Sequence, residues 1–154
     1  MATATQVRQY PAIGEVFELE LDADAPENQP LPGLVQAFGY DPEGWKFMGK
    51  PLTGKLKGRF KLVQVGYQPN LDAAKKALEA EHGPTPSGQW MKAFLDAFSK
   101  PDGKGSVGVA DASWVVPFGS VSFPCVYSDG EPYFFWIDRD LSWCWRWLVA
   151  VPCE

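Results

Sequence analysis

The chain of 154 residues has one histidine and three cysteines, and all three cysteines follow residue 124. Three cysteines close at most one bridge, so no disulfide framework organises this fold. No two of them share a CxxC spacing. The lone His82 does not complete a zinc site with them. No stretch approaches 18 apolar residues, so no membrane span is expected. The opening MATATQVRQYPAIG has no apolar signal core. The expected location is therefore the cytoplasm, or a phage or cell particle assembled there. Gly54-Lys55 lacks the glycine spacing and the Ser or Thr of a phosphate loop. A GxSxG elbow is also missing. Cys125 and Cys144 have only His82 as a candidate base, which disfavours a Cys–His nucleophile. No cofactor is expected.

What is present is ordinary in bulk: 45% hydrophobic and 21% charged, with Gly 15 and Pro 14. That composition belongs to a globular domain rich in turns. The net charge of −5 argues against nucleic acid as a partner. Lys46 to Lys61 has six basic residues and no acid. Lys55, Lys57, Arg59 and Lys61 alternate with Leu56, Gly58, Phe60 and Leu62, which reads as one solvated strand face.

Residues 1–13 read as a loose arm, and 14–154 as a single α+β domain. Glu15–Asp22 alternates, with Phe17, Leu19 and Leu21 on one face of a half-buried strand. Leu34–Phe38 suits either a short helix or a strand. Strands are expected at Trp45–Met48 and Leu56–Tyr67. Asn70 caps a helix with the stripe Leu71, Ala74 and Leu78, ending at Gly83. Ser87 caps a second helix carrying Trp90, Phe94, Ala97 and Phe98, stopped by Pro101. Strands follow at Ser106–Ala110, Ser120–Val126, Tyr133–Ile137 and Trp143–Val151. The Asp129-Gly130 pair marks a hairpin turn. On the closing strand, Trp143, Trp145 and Trp147 share one face and Cys144, Arg146 and Leu148 the other.

The run Trp114–Trp147 holds 11 of the 22 aromatics, five of seven tryptophans and no lysine. Strands send alternate side chains to opposite faces, so a one-sided core cannot use them all. Part of this surface is expected near solvent, where aromatics anchor binding partners. Two acidic pairs, Asp129/Glu131 and Asp138/Asp140, sit in turns. They suit solvated turn residues better than a Ca²⁺ cradle.

The order of elements resembles the C-type lectin-like fold over residues 58–151, with 14–57 as preceding N-terminal strands. Val107-Gly108-Val109-Ala110-Asp111-Ala112-Ser113-Trp114 is similar to that family's strand and turn after the second helix. Ser128-Asp129-Gly130-Glu131-Pro132 followed by Trp136 is similar to its Asp-Gly-x-Pro turn and later tryptophan. Trp145-Arg146-Trp147-Leu148-Val149 matches its closing strand. The resemblance implies two short helices, a twisted antiparallel sheet whose terminal strands pair, and ligand-binding loops before the last strand. The family's cysteine pairs and its Trp-Asn-Asp calcium signature are missing, so calcium-dependent sugar binding is not implied. The intracellular branch includes the variable proteins of diversity-generating retroelements, whose C-terminal loops are diversified.

Twelve positions fit such a variable set: Phe118, Ser120, Ser122, Cys125, Tyr127, Tyr133, Phe135, Ile137, Arg139, Leu141, Ser142 and Cys144. Each is a residue type reachable by mutating the adenines of an Asn codon. They interleave with residues that read as framework: Gly119, Phe123, Pro124, Asp129, Gly130, Trp136, Trp143, Trp145 and Trp147. The mix of Tyr and Ser with Phe and Arg resembles a paratope. The leading expectation is a module binding a protein, small-molecule or glycan ligand through Phe118–Cys144. A second is a structural or assembly protein, using the aromatic segment as a subunit interface in an oligomer. A third is a hydrolase using Asp129, Glu131, Asp138 or Asp140.

Overall fold

Phe17, Leu19 and Leu21 are buried while Glu18, Glu20 and Asp22 are exposed, so the first strand obeys its alternation. A computed structural model describes residues 8–152. Its strands are β1 (Phe17–Asp22), β2 (Lys46–Phe47), β3 (Lys55–Val63), β4 (Val107–Gly108), β5 (Trp114–Val115), β6 (Val121–Val126), β7 (Pro132–Trp136) and β8 (Arg146–Ala150). Its helices are α1 (Val35–Ala37), α2 (Leu71–His82) and α3 (Trp90–Ala97). The architecture is α+β, built on one sheet.

The strands run in the order β1-β3-β8-β4-β6-β5-β2, with β7 also paired to β6. The expected antiparallel sheet is in fact mixed, because β4 and β8 run parallel through Val107↔Arg146 and Gly108↔Trp147. All other strand pairs are antiparallel. β3 crosses the boundary at residues 57/58 and joins β1 to β8, so the N-terminal strands and the remainder share one sheet. The basic face of β3 lies opposite acids of β1: Glu18↔Arg59, Glu20↔Lys57 and Asp22↔Lys55. Lys57 Nζ is 3.6 Å from Glu18 and 3.8 Å from Glu20.

Asn70 caps α2 as expected, its Oδ1 accepting from the Ala73 amide at 2.9 Å. Gly83 ends the helix at φ +80°, a conformation costly for any residue with a Cβ. Leu71, Ala74 and Leu78 of α2 pack with Trp147, Val149, Phe123 and Cys125. Trp90 and Phe94 of α3 pack with Leu148, Phe60, Leu62 and Phe134. On β8, Trp147 and Val149 alternate with Leu148, so α2 and α3 cover opposite faces of the sheet.

Several boundaries differ from expectation. Leu34–Phe38 is helical: α1 follows a wide helical turn at Pro30–Leu34. The closing strand begins only at Arg146, because residues 142–145 form a turn closed by the Trp145 amide on the Ser142 carbonyl. Trp143 therefore leaves the strand. Residues 1–7 of the expected arm lie outside the described residues, as does Cys153. Residues 8–13 are docked. Tyr10 is buried, its amide donates to the Lys100 carbonyl at 3.2 Å, and its ring meets Phe94 at 5.1 Å. No helix among the described residues is long and apolar enough to cross a membrane.

Candidate functional site

Coverage of both sheet faces changes the arithmetic of the aromatic run. A sheet buried on both sides absorbs consecutive apolar residues, not just alternate ones. Of the 11 aromatics in Trp114–Trp147, Trp114, Phe123, Tyr133, Phe134, Trp145 and Trp147 are buried. Phe135 and Trp136 are half-buried. Only Phe118, Tyr127 and Trp143 are exposed. The core therefore holds most of the run, and the part near solvent reduces to these three rings.

The same geometry sorts the twelve expected contact positions. Ser122, Cys125, Tyr133 and Leu141 lie in the interior and offer nothing to a partner in this fold. Ser122 Oγ donates to the Trp114 carbonyl at 3.3 Å. Cys125 Sγ donates to the Tyr133 carbonyl at 3.4 Å, and burial pushes its thiol pKa up, which keeps it protonated and inert. Burial raises Tyr133 strongly as well. Leu141 is held where its segment pairs with Gln68. Phe135 packs on Trp145 and Phe123. Tyr127 is 43% exposed and stacks on Tyr133 at 3.5 Å. Ser142 is exposed and Cys144 half-buried, with Ser142 Oγ and Cys144 Sγ 3.0 Å apart.

The remaining four converge. Phe118, Ser120, Ile137 and Arg139, together with Val121, Trp136 and Asp138, line an open depression of about 410 Å³. Two turns build it. In the β5–β6 turn, the Val116 amide donates to the Ser120 carbonyl at 3.0 Å and the Gly119 amide to the Val116 carbonyl at 2.9 Å. Gly119 sits at φ +94°, which allows this tight reversal and leaves Phe118 at its tip, 75% exposed. The second turn follows β7. The Ile137 amide donates to the Val121 carbonyl at 3.3 Å, and the Leu71 amide of α2 donates to the Ile137 carbonyl at 2.9 Å. Ile137 is thus fixed by the sheet and by a helix, while Asp138, Arg139 and Asp140 project into solvent. The Phe118 and Trp136 rings lie 5.7 Å apart at 57°.

Trp136 was expected as framework, yet it lines the depression. Asp138, expected as a turn carboxylate, Ca²⁺ ligand or hydrolase acid, lines it too. The Pro117-Phe118-Gly119 turn was the available signal for an exposed ring. Trp143, expected on the scaffold face, is 70% exposed, and Tyr67 is 59% exposed. The Asp129 carboxylate accepts from the Glu131 amide at 3.0 Å, as a turn residue does. Among the described residues no three His, Cys, Asp or Glu side chains gather to hold a metal. Comparison of the chain with protein-family models, with curated proteins and with solved structures finds no match.

Proposed function

We propose that this chain is a binding module whose contact surface is the Phe118–Arg139 depression, carried on a lectin-like α+β scaffold. The observation that carries this reading is the convergence of Phe118, Ser120, Ile137 and Arg139 around one open site. A rigid sheet supports that site, and two turns supply its exposed groups. Exposed aromatic rings give contact area at low entropy cost, and Ser and Arg add adaptable polar contacts. In favour of the lectin-like scaffold, β3 and β8 pair antiparallel near the ends of residues 58–151, with α2 and α3 between them. If the gene belongs to a diversity-generating retroelement, diversification should be tolerated at the four lining positions and at Ser142. It should be resisted at Ser122, Cys125, Tyr133 and Leu141.

The test is photo-crosslinking from position 118 in the native host. A specific adduct is expected. Phe118→Ala/Ser120→Ala should remove binding to the adduct's partner while changing stability by about 0.5 kcal/mol or less, as surface substitutions do. Absence of any adduct, or undiminished binding by the double variant, would reject the reading.

A second reading, assembly with another copy of the chain, is favoured by Trp143 and Tyr67. Both are exposed, and they lie on paired segments: the Gln68 and Leu141 backbones exchange hydrogen bonds at 2.9 and 2.8 Å. Light scattering distinguishes the two. A dimer that Trp143→Ser converts to monomer supports assembly; a monomeric parent protein excludes it.

A further inference from the structure

The depression joins two aromatic rings to one carboxylate, Asp138, with the Arg139 guanidinium on the same lining. Phe118 and Trp136 pair with each other and with no other ring among the described residues. The two rings are tilted by 57° and both line the depression. Asp138 lines the same space, and Asp140 is two residues on. No ion pair among the described residues involves Asp138, Arg139 or Asp140. Residues 136–140 carry two acids and one base, within a chain of net charge −5.

An aromatic face attracts a cation through its quadrupole, and the attraction grows as the ring is shielded from water. Trp136 is half-buried and offers that shielding. A planar guanidinium stacks on aromatic rings and is more weakly hydrated than an ammonium, so it loses less on leaving water. A carboxylate beside the rings compensates the remaining charge.

We propose that the depression takes a basic side chain of a protein partner, with arginine preferred over lysine. This rests on the binding-module reading and names the chemistry its site selects. The rings hold the guanidinium faces, and Asp138 accepts its N–H donors. Arg139 is the one lining group of the wrong sign. It limits affinity for an isolated basic side chain.

The test titrates the intact protein with four capped tripeptides, Gly-Xaa-Gly with Xaa Arg, Lys, norleucine or Glu. The readout is the indole N–H resonance of Trp136, assigned with Trp136→Phe. Saturable shifts are expected with Arg and, more weakly, Lys, and both should weaken as salt screens the charge. Asp138→Asn should weaken Arg binding about threefold and Phe118→Ala about fivefold, the scale of single charge and cation–π contacts. Arg139→Ala should strengthen it. The proposal is overturned if norleucine or Glu binds as well as Arg, if no peptide binds, or if Asp138→Asn leaves Arg binding unchanged. Crosslinking from position 118 is independent of these peptides. A partner found there that ignores Asp138→Asn preserves the module and removes the cationic specificity.

Discussion

Arg146 shows how much one residue can carry in this fold. Its guanidinium is buried and forms paired hydrogen bonds to Asp102 at 2.7 and 2.9 Å, with a third to the Gly105 carbonyl at 2.6 Å. Burial alone raises the Asp102 pKa, but the Arg146 hydrogen bonds, the Lys104 amide and the Arg146 charge outweigh it and leave the pKa lowered. The folded state thus favours the ionised carboxylate. Its contribution to stability is complete above the unfolded carboxylate pKa of about 4 and is lost as pH falls through the lower folded value. Urea midpoints should drop over that acid range in the parent protein. Asp102→Asn should remove that part of the drop and cost about 3 kcal/mol at neutral pH by stranding a buried cation. An unchanged acid profile in the variant would place the acid sensitivity elsewhere. None of this was legible in the sequence. Asp102 sits 44 residues from Arg146, and a strand pattern alone puts an arginine on a face without saying what meets it. Gln89 is a parallel case. It is fully buried, with its amide bonded to the Leu52 N–H at 2.9 Å and the Asn28 carbonyl at 2.8 Å, yet its local sequence reads only as a helix start.

Elements whose signals are local were readable. β1 follows from alternation, and α2 follows from Asn70, the Leu71/Ala74/Leu78 stripe and Gly83. The segment 8–13 was not readable, because it has no pattern of its own and is ordered by what it touches. Tyr10 lies under the Arg146 guanidinium, 5.6 Å from its ring centroid, and against Phe94. Arg8 lies over the Phe98 ring at 4.6 Å. Magnitudes separate the two anchors. Tyr10→Ala removes a buried aromatic and should cost about 3 kcal/mol. Arg8→Ala removes one cation–π contact and should cost about 0.5 kcal/mol. Thermal denaturation of both variants checks the ranking, and equal losses would contradict it. Burial also raises the Tyr10 phenol to about 12. Its neutral form is favoured in the fold, so this share of stability declines as pH rises from about 10 toward that value.

At the scale of the molecule, the candidate site was half legible. Four of the twelve expected positions, Phe118, Ser120, Ile137 and Arg139, do meet around one depression. The error lay in treating the sheet as one-sided. Ser122, Cys125, Tyr133 and Leu141 then looked free for contact, whereas burial on both faces takes them into the interior. Whether a second face is covered depends on where α2 and α3 land, and strand periodicity does not contain that information.

The position of β8 has a separate consequence. Among the described residues, this late segment is the only strand that bridges the β1–β3 pair and the β4–β6–β7 group. A chain interrupted before residue 146 lacks it, and β3 is left with an unpaired edge of the kind that aggregates or is degraded. Topology therefore acts as a proofreader. Only a chain translated through β8 can close the sheet, so a stop codon or frameshift before residue 146 leaves β3 without its second partner.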